Sequence, residues 1–94
     1  MCASVTIHLL NLFRLELKKQ HVSYQGNNVG DIIKQFERDH LDLLPSYLKS
    51  KDQASLNEAV LVLLNGANVQ NMAGMATPVK DGDELQLSVP IIGG

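Results

Sequence analysis

The residues best suited to chemistry stand at the C-terminus, where Pro90-Ile91-Ile92 leads into Gly93-Gly94. A carboxylate on glycine has no side chain beside it, and two glycines can thread a narrow channel in backbone conformations that other residues avoid. An activating enzyme could place such a carboxylate against the α-phosphate of ATP and form an acyl-adenylate. A sulfur nucleophile would then displace AMP and leave a thiocarboxylate on Gly94. In this scheme the chain is a substrate and carrier rather than an enzyme. ATP is used by the partner, and no cofactor is held tightly. A terminal glycine pair arises by chance about one time in 200 at average usage, so its position after a well-defined strand carries the weight. Ile91 and Ile92 form an apolar pair beside the tail, which suggests a docking surface. The alternative is that they fold back over the sheet edge.

Other reactive residue types are scattered. His8, His21 and His40 fall on two strands and a helix end, and a metal site needs clustered ligands, so none is expected. Cys2 has no helix terminus or cationic neighbour in view to lower its pKa and does not read as a nucleophile. Asp81, Asp83 and Glu84 lie in a turn, where a solvated turn is the simpler reading; catalytic carboxylates need surroundings that separate their pKa values. Lys18-Lys19 reads as a solvated charge pair.

The bulk properties narrow the class. Ninety-four residues make one domain with a modest core, leaving little room for an internal active-site cavity. A chain 45% hydrophobic and 19% charged is not that of a disordered protein. A net charge of -2 lacks the basic footprint of a nucleic-acid binder. One cysteine cannot make an internal disulfide. No apolar run approaches the roughly 18 residues of a membrane span, and the N-terminus does not read as a signal peptide. The expected compartment is the cytoplasm.

Hydrophobic periodicity sets out the elements that must position the tail. Val5, Ile7 and Leu9 alternate with Thr6 and His8, predicting a strand from Val5 to about Phe13, with Leu10 and Leu12 on its other face. A second strand is expected over Gln20 to Gln25, with Val22 and Tyr24 inward and Arg14 to Lys19 as the connecting hairpin. Asn28 is a helix N-cap, Asp31 suits the helix's positive end, and Val29, Ile32, Ile33 and Phe36 make an apolar stripe ending near Asp39 or His40. Leu41 to Leu48, broken by Pro45, is irregular or a short helix closing over the core. The polar stretch Lys49 to Asn57 reads as a mobile loop. Ala59 to Leu64 reads as a strand buried on both faces, or nearly so. Asn65-Gly66 then marks a hairpin and Ala67 to Val69 a short return strand. After the Asp81-Gly82-Asp83 turn, Leu85, Leu87 and Val89 alternate with Glu84, Gln86 and Ser88 in a last strand that Pro90 should end.

The order ββαβββ gives an α+β fold of the ubiquitin-like β-grasp type: a mixed four- to five-stranded sheet with one main helix packed on one face. By analogy with that fold, the first and last strands lie parallel and adjacent in the centre. Residues 1–90 form the domain and residues 91–94 a flexible tail. With one helix to cover the sheet, Leu10, Leu12 and Phe13 are either ordinary core or an apolar partner-docking patch on its open face.

Several of these residues together resemble a known family. Leu64-Asn65-Gly66, the acidic turn Lys80-Asp81-Gly82-Asp83-Glu84 and the Pro90-Ile91-Ile92-Gly93-Gly94 tail look like the ThiS/MoaD family of sulfur carriers, which includes CysO-like cysteine-biosynthesis carriers. Arg14 after the first strand and the helix opening Gly26-Asn27-Asn28-Val29-Gly30-Asp31-Ile32-Ile33 agree, so the resemblance covers nearly the whole chain. It implies adenylation by a ThiF/MoeB-like enzyme and a thiocarboxylate on Gly94. It also implies sulfur delivery to a synthase, such as a MoaE-like subunit or a cysteine-synthase homologue. Family tails commonly carry two prolines and a small residue before the glycines, whereas Val89-Pro90-Ile91-Ile92 is bulkier. The added length around Leu41 to Asn57 leans towards a molybdopterin-type or cysteine-type carrier, and the helix opening resembles the latter.

Two rival readings share the fold. A ubiquitin-like modifier would begin from the same adenylate but end joined through Gly94 to lysines on target proteins. A plain interaction module would have no tail chemistry, and deleting Gly93-Gly94 would leave its function unchanged.

Overall fold

The computed structural model describes residues 3–57 and 59–89. Among these, five strands make one mixed sheet in the order β2-β1-β5-β3-β4. They are β1 (Ala3–Leu9), β2 (His21–Gly26), β3 (Leu61–Leu64), β4 (Ala67–Asn68) and β5 (Glu84–Ser88). Strand β5 lies at the centre, parallel to β1 and antiparallel to β3, as the β-grasp analogy required. The period-two pattern sends Val5, Ile7 and Leu9 of β1, and Leu85 and Leu87 of β5, into the core.

The main helix, α2 (Val29–His40), covers that face. Its stripe Val29, Ile32, Ile33 and Phe36 is buried against the sheet. The cap is the expected one: Asn28 Oδ1 accepts from the Asp31 backbone N–H at 2.8 Å. Asp31 Oδ2 in turn accepts from the Asn27 N–H at 2.9 Å.

The link between β1 and β2 differs from the expected hairpin. β1 stops at Leu9, and Asn11–Leu17 forms a short helix, α1. Phe13 and Leu17, four residues apart, turn inward together and are buried, with the Phe13 ring edge-on to Phe36 at 6.3 Å. Lys18 closes the helix in the left-handed conformation at φ 56°, its N–H donating to Arg14 O. The expectation of a strand to Phe13 failed because alternate leucines satisfy a strand period while Phe13 and Leu17 satisfy a helical one.

The β3 strand also departs from expectation. It begins at Leu61; Val62 and Leu64 are buried, while Leu61 and Leu63 are only half-buried. No helix among the described residues lies over the open face to bury them. Two short 3-10 turns, Leu41–Leu43 and Ser46–Leu48, close the core with Leu44 and Leu48. The polar segment that follows, read from sequence as a loop, carries its own bonds. The Leu56 N–H donates to Glu37 Oε2 at 2.9 Å, and the Asn57 N–H to Leu48 O at 3.0 Å. No helix of the described residues is long and apolar enough to cross a membrane.

Candidate functional site

Pro90, Ile91, Ile92, Gly93 and Gly94 lie outside the described residues, so the site is defined by the strand that carries them. β5 is held along both sides. Thr6 to Leu9 of β1 run beside Glu84 to Leu87, and Leu61 to Leu64 of β3 run beside Leu85 to Ser88. At the exit, the Leu10 N–H donates to Leu87 O at 3.0 Å. Val89 is half-buried and packs against the core. The tail therefore leaves from a central strand fixed by two neighbours.

The start of β5 is pinned by the acidic turn. Asp81 Oδ1 accepts from the Ser4 N–H at 2.8 Å, and Gly82 N–H donates to Ser4 O at 2.9 Å. Asp83 Oδ2 accepts from the Lys80 N–H at 2.7 Å. This backbone bond, with the Asn65 side chain and the Lys80 charge, holds the Asp83 carboxyl below the usual carboxylate range. The turn's carboxylates are thus ladder fasteners. Across from it, Asn65 and Gly66 both take positive φ (50° and 90°), the conformation that an Asn-Gly hairpin turn supplies.

The three histidines separate into two places. His8 and His21 share the open face of the sheet with ring centroids 6.1 Å apart, and His8 Nε2 meets Glu84 Oε1 at 2.6 Å. His40 is buried at the end of α2, stacked on Phe36 at 4.7 Å. Its Nδ1 lies 3.2 Å from Phe36 O and its Nε2 3.5 Å from Lys19 Nζ. Tyr24 beside it donates to Asp39 at 2.9 Å, and its phenol is pushed up to about 12, first by burial and then by that carboxylate. Among the described residues no group of three or more His, Cys, Asp or Glu side chains is placed to hold a metal ion. Cys2 lies outside the described residues.

The expected docking patch is only partly available. Leu10 is 36% exposed at the point where β1 passes into α1. Phe13 is fully buried, so it belongs to the core and not to a surface patch. The side chain of Leu12 lies outside the described part of the structure.

A second feature has no counterpart in the sequence reading. Between α2 and β3 runs a cleft of about 310 Å³, walled by Ile33, Leu56, Val60, Val62 and Met75, with Lys34 among its polar lining residues. The helical stripe signalled Ile33, but nothing in the sequence showed that Met75 would reach α2. The main-chain carbonyl of Met75 approaches Gly30 so closely that a Cβ there would meet it at 3.1 Å.

Comparison with known proteins agrees with this geometry. Residues 9–94 match the ThiS family. Small archaeal modifier protein 3 of Haloferax volcanii is 32% identical over 66 residues, 70% of this chain and 68% of that protein. The solution structure of small archaeal modifier protein 1 from Methanosarcina acetivorans superposes with a TM-score of 0.81 at 24% identity, covering 100% of this chain and 99% of that one. The BexX/CysO complex of Amycolatopsis orientalis contains a chain that superposes with a TM-score of 0.72 at 26% identity, covering 96% of this chain and 99% of that one. With the family match reaching from the end of β1 through the diglycine, the chain belongs to the ThiS family of ubiquitin-like small modifiers and sulfur carriers.

Proposed function

We propose that this protein is a sulfur carrier working through the Gly94 carboxylate. A ThiF/MoeB-like enzyme binds the domain and draws the tail to its ATP. The carboxylate attacks the α-phosphate and pyrophosphate leaves. A sulfide-level sulfur nucleophile then attacks the acyl carbon, AMP departs, and Gly94 carries a thiocarboxylate. A biosynthetic partner of the molybdopterin or cysteine type, either a MoaE-like subunit or a cysteine-synthase homologue, accepts the sulfur in the cytoplasm. The chain supplies no catalytic group and holds no cofactor; it acts as substrate and carrier.

The observation that carries this reading is the fixing of β5 by β1 through Leu87 and by β3 through Ser88, in a chain whose family match continues through Gly94. A fixed root with two terminal glycines keeps the acyl group at a defined reach from the docking face. The similarity to a CysO chain in complex with BexX supports a protein acceptor. The test is ATP–pyrophosphate exchange with the cognate activating enzyme, followed by intact mass. Exchange that depends on Gly93-Gly94, and a mass showing one oxygen replaced by sulfur, support the carrier. Folded protein giving no exchange overturns it.

The 32% identity to a small archaeal modifier protein favours a second reading from the same adenylate, conjugation of Gly94 to lysines on other proteins. Isopeptide-linked ladders from cells, absent when Gly94 is deleted, would establish that role.

A further inference from the structure

We propose that the outer edge of β2 is a docking edge for a second copy of this chain, the two β2 strands pairing antiparallel about a two-fold axis at Ser23. β2 (His21–Gly26) ends the sheet on one side. Its ladder fixes which main-chain groups face outward. The Leu9 N–H donates to Gln20 O at 2.9 Å, and the register then sets Ile7 beside Val22 and Val5 beside Tyr24. In an antiparallel ladder the alternate residues His21, Ser23 and Gln25 turn their N–H and C=O away from β1. The Thr6 and Leu10 amides agree with this phase, since they donate towards β5, to Asp83 O and Leu87 O. Gln25 O takes its donor from outside the ladder, Gln35 Nε2 at 2.6 Å, and a carbonyl can accept a second. At His21 and Ser23 the outward main-chain groups have no protein partner among the described residues.

Edge strands are ordinarily blunted by shortness, lysine, proline or a bulge. The opposite edge, β4, is only Ala67–Asn68. β2 instead runs beside β1 without a break from His21 to Gly26 and carries no Lys, Arg, Asp, Glu or Pro. Its sequence also matches itself, as an isologous contact requires. Two-fold pairing at Ser23 sets Ser23 against Ser23, His21 against Gln25 and Val22 against Tyr24. On the open face the small Ser23 hydroxyls meet, and the His21 ring faces the Gln25 amide as a donor–acceptor pair. On the helix side the half-buried Val22 and Tyr24 cover one another. Just beyond the strand, Lys19 falls opposite Asn27, so no like charges oppose one another. The match of β2 with itself is what names a second copy as the occupant. β5 lies two strands in from this edge, so the pairing leaves the strand that carries the tail uncovered.

The test is sedimentation of the full-length protein from micromolar to millimolar concentration, unaltered and as the variants Ser23→Lys, Ser23→Asp and Ser23→Pro. The unaltered protein should move from monomer towards dimer mass as concentration rises. Ser23→Lys and Ser23→Asp each set like charges together at the axis and should stay monomeric, while an equal mixture of the two should associate again. Ser23→Pro removes an outward N–H that β1 does not use, and should also stay monomeric. Unmoved Ile7 and Ile32 methyl shifts show that the variants are folded. NMR on a mixture of differently labelled unaltered copies should show a contact between Val22 Hα of one copy and Tyr24 Hα of the other, the close approach of a non-hydrogen-bonded antiparallel pair. A monomer at every concentration overturns the proposal. So does association that the three variants leave unchanged, or a mixture of the charged variants that stays monomeric. The labelled mixture needs no variant, and lack of its contact where dimer forms overturns the proposal as well. None of these readouts depends on chemistry at Gly94.

Discussion

Asn65 and Asp83, 18 residues apart, are joined side chain to side chain: Asn65 Nδ2 donates to Asp83 Oδ1 at 3.1 Å. The other end of the same amide accepts from the Glu84 N–H at 3.0 Å. Thus one residue, at φ 50° in the β3–β4 turn, fastens the start of the strand that carries the tail. Asn65→Gly retains the positive φ but loses both bonds, and should cost about 1–2 kcal/mol. That would lower Tm by about 4–8 °C per kcal/mol in a domain of this size. Asn65→Asp sets a carboxylate against Asp83 and should cost more at neutral pH, the excess shrinking as Asp83 is protonated. Thermal melts of both variants at neutral and acidic pH check the pair.

Phe13 and Leu10 should separate stability from docking. Phe13 is fully buried against Phe36, so Phe13→Ala should cost about 3–5 kcal/mol in urea unfolding. That is a large part of the roughly 5–15 kcal/mol available to a domain. Leu10 is 36% exposed beside the tail's root, and Leu10→Ala should cost less than Phe13→Ala, because part of its surface stays in water in the folded state. If Leu10 meets the activating enzyme, its substitution should raise the KM for the carrier with kcat nearly unchanged. A Leu10 variant that unfolds like Phe13→Ala would place it in the core instead.

The sequence was legible where one pattern acted alone. The β1 alternation, the Asn28 cap, the α2 stripe and the Asn65-Gly66 turn are each short-range signals, and each element formed where they pointed. Leu10 to Leu17 carried two periods at once. There the core chose the helix, because it buries Phe13 and Leu17 together. The Ala59–Leu64 run looked buried on both faces, or nearly so, since its composition is uniformly apolar, yet burial alternates along β3. The cleft was not legible, because it is formed by segments far apart in sequence: Ile33 on α2, Val60 and Val62 at β3, and Met75 in a 3-10 turn whose carbonyl lies close against Gly30.

Acid should loosen the protein through its fastened carboxylates. Asp83 is held low by the Lys80 N–H, Asp39 by Arg38 and then Tyr24, and Asp52 by Ser50 and the Ala54 N–H. A depressed folded pKa means the unfolded chain takes up its protons first as pH falls. The stabilisation is therefore complete above the ordinary aspartate value of about 3.9 and is lost as pH drops through the lower folded values. Tm should be level from neutral pH to about 5 and fall below about 4. Asp83→Asn should lower Tm at neutral pH and flatten the acid limb. An unchanged acid limb in that variant would show that Asp83 contributes nothing to it.

The opening of α2 offers a test of backbone fit. Asn28 caps Asp31 while the Asp31 carboxylate reaches back to the Asn27 N–H, so two amide donors are satisfied by a reciprocal pair. Asn28→Ala removes one acceptor and should cost about 1 kcal/mol. Gly26, the last residue of β2, stands directly behind this pair, and a Cβ there would meet Asp31 Cβ at 2.7 Å. That atom sits next to the helix backbone and cannot swing aside, so Gly26→Ala must shift the first turn of α2 itself. Gly26→Ala should therefore destabilise more than Asn28→Ala, and the double variant should cost less than the sum, since both act on the same turn. Additive costs in urea unfolding would show that the glycine and the cap are independent.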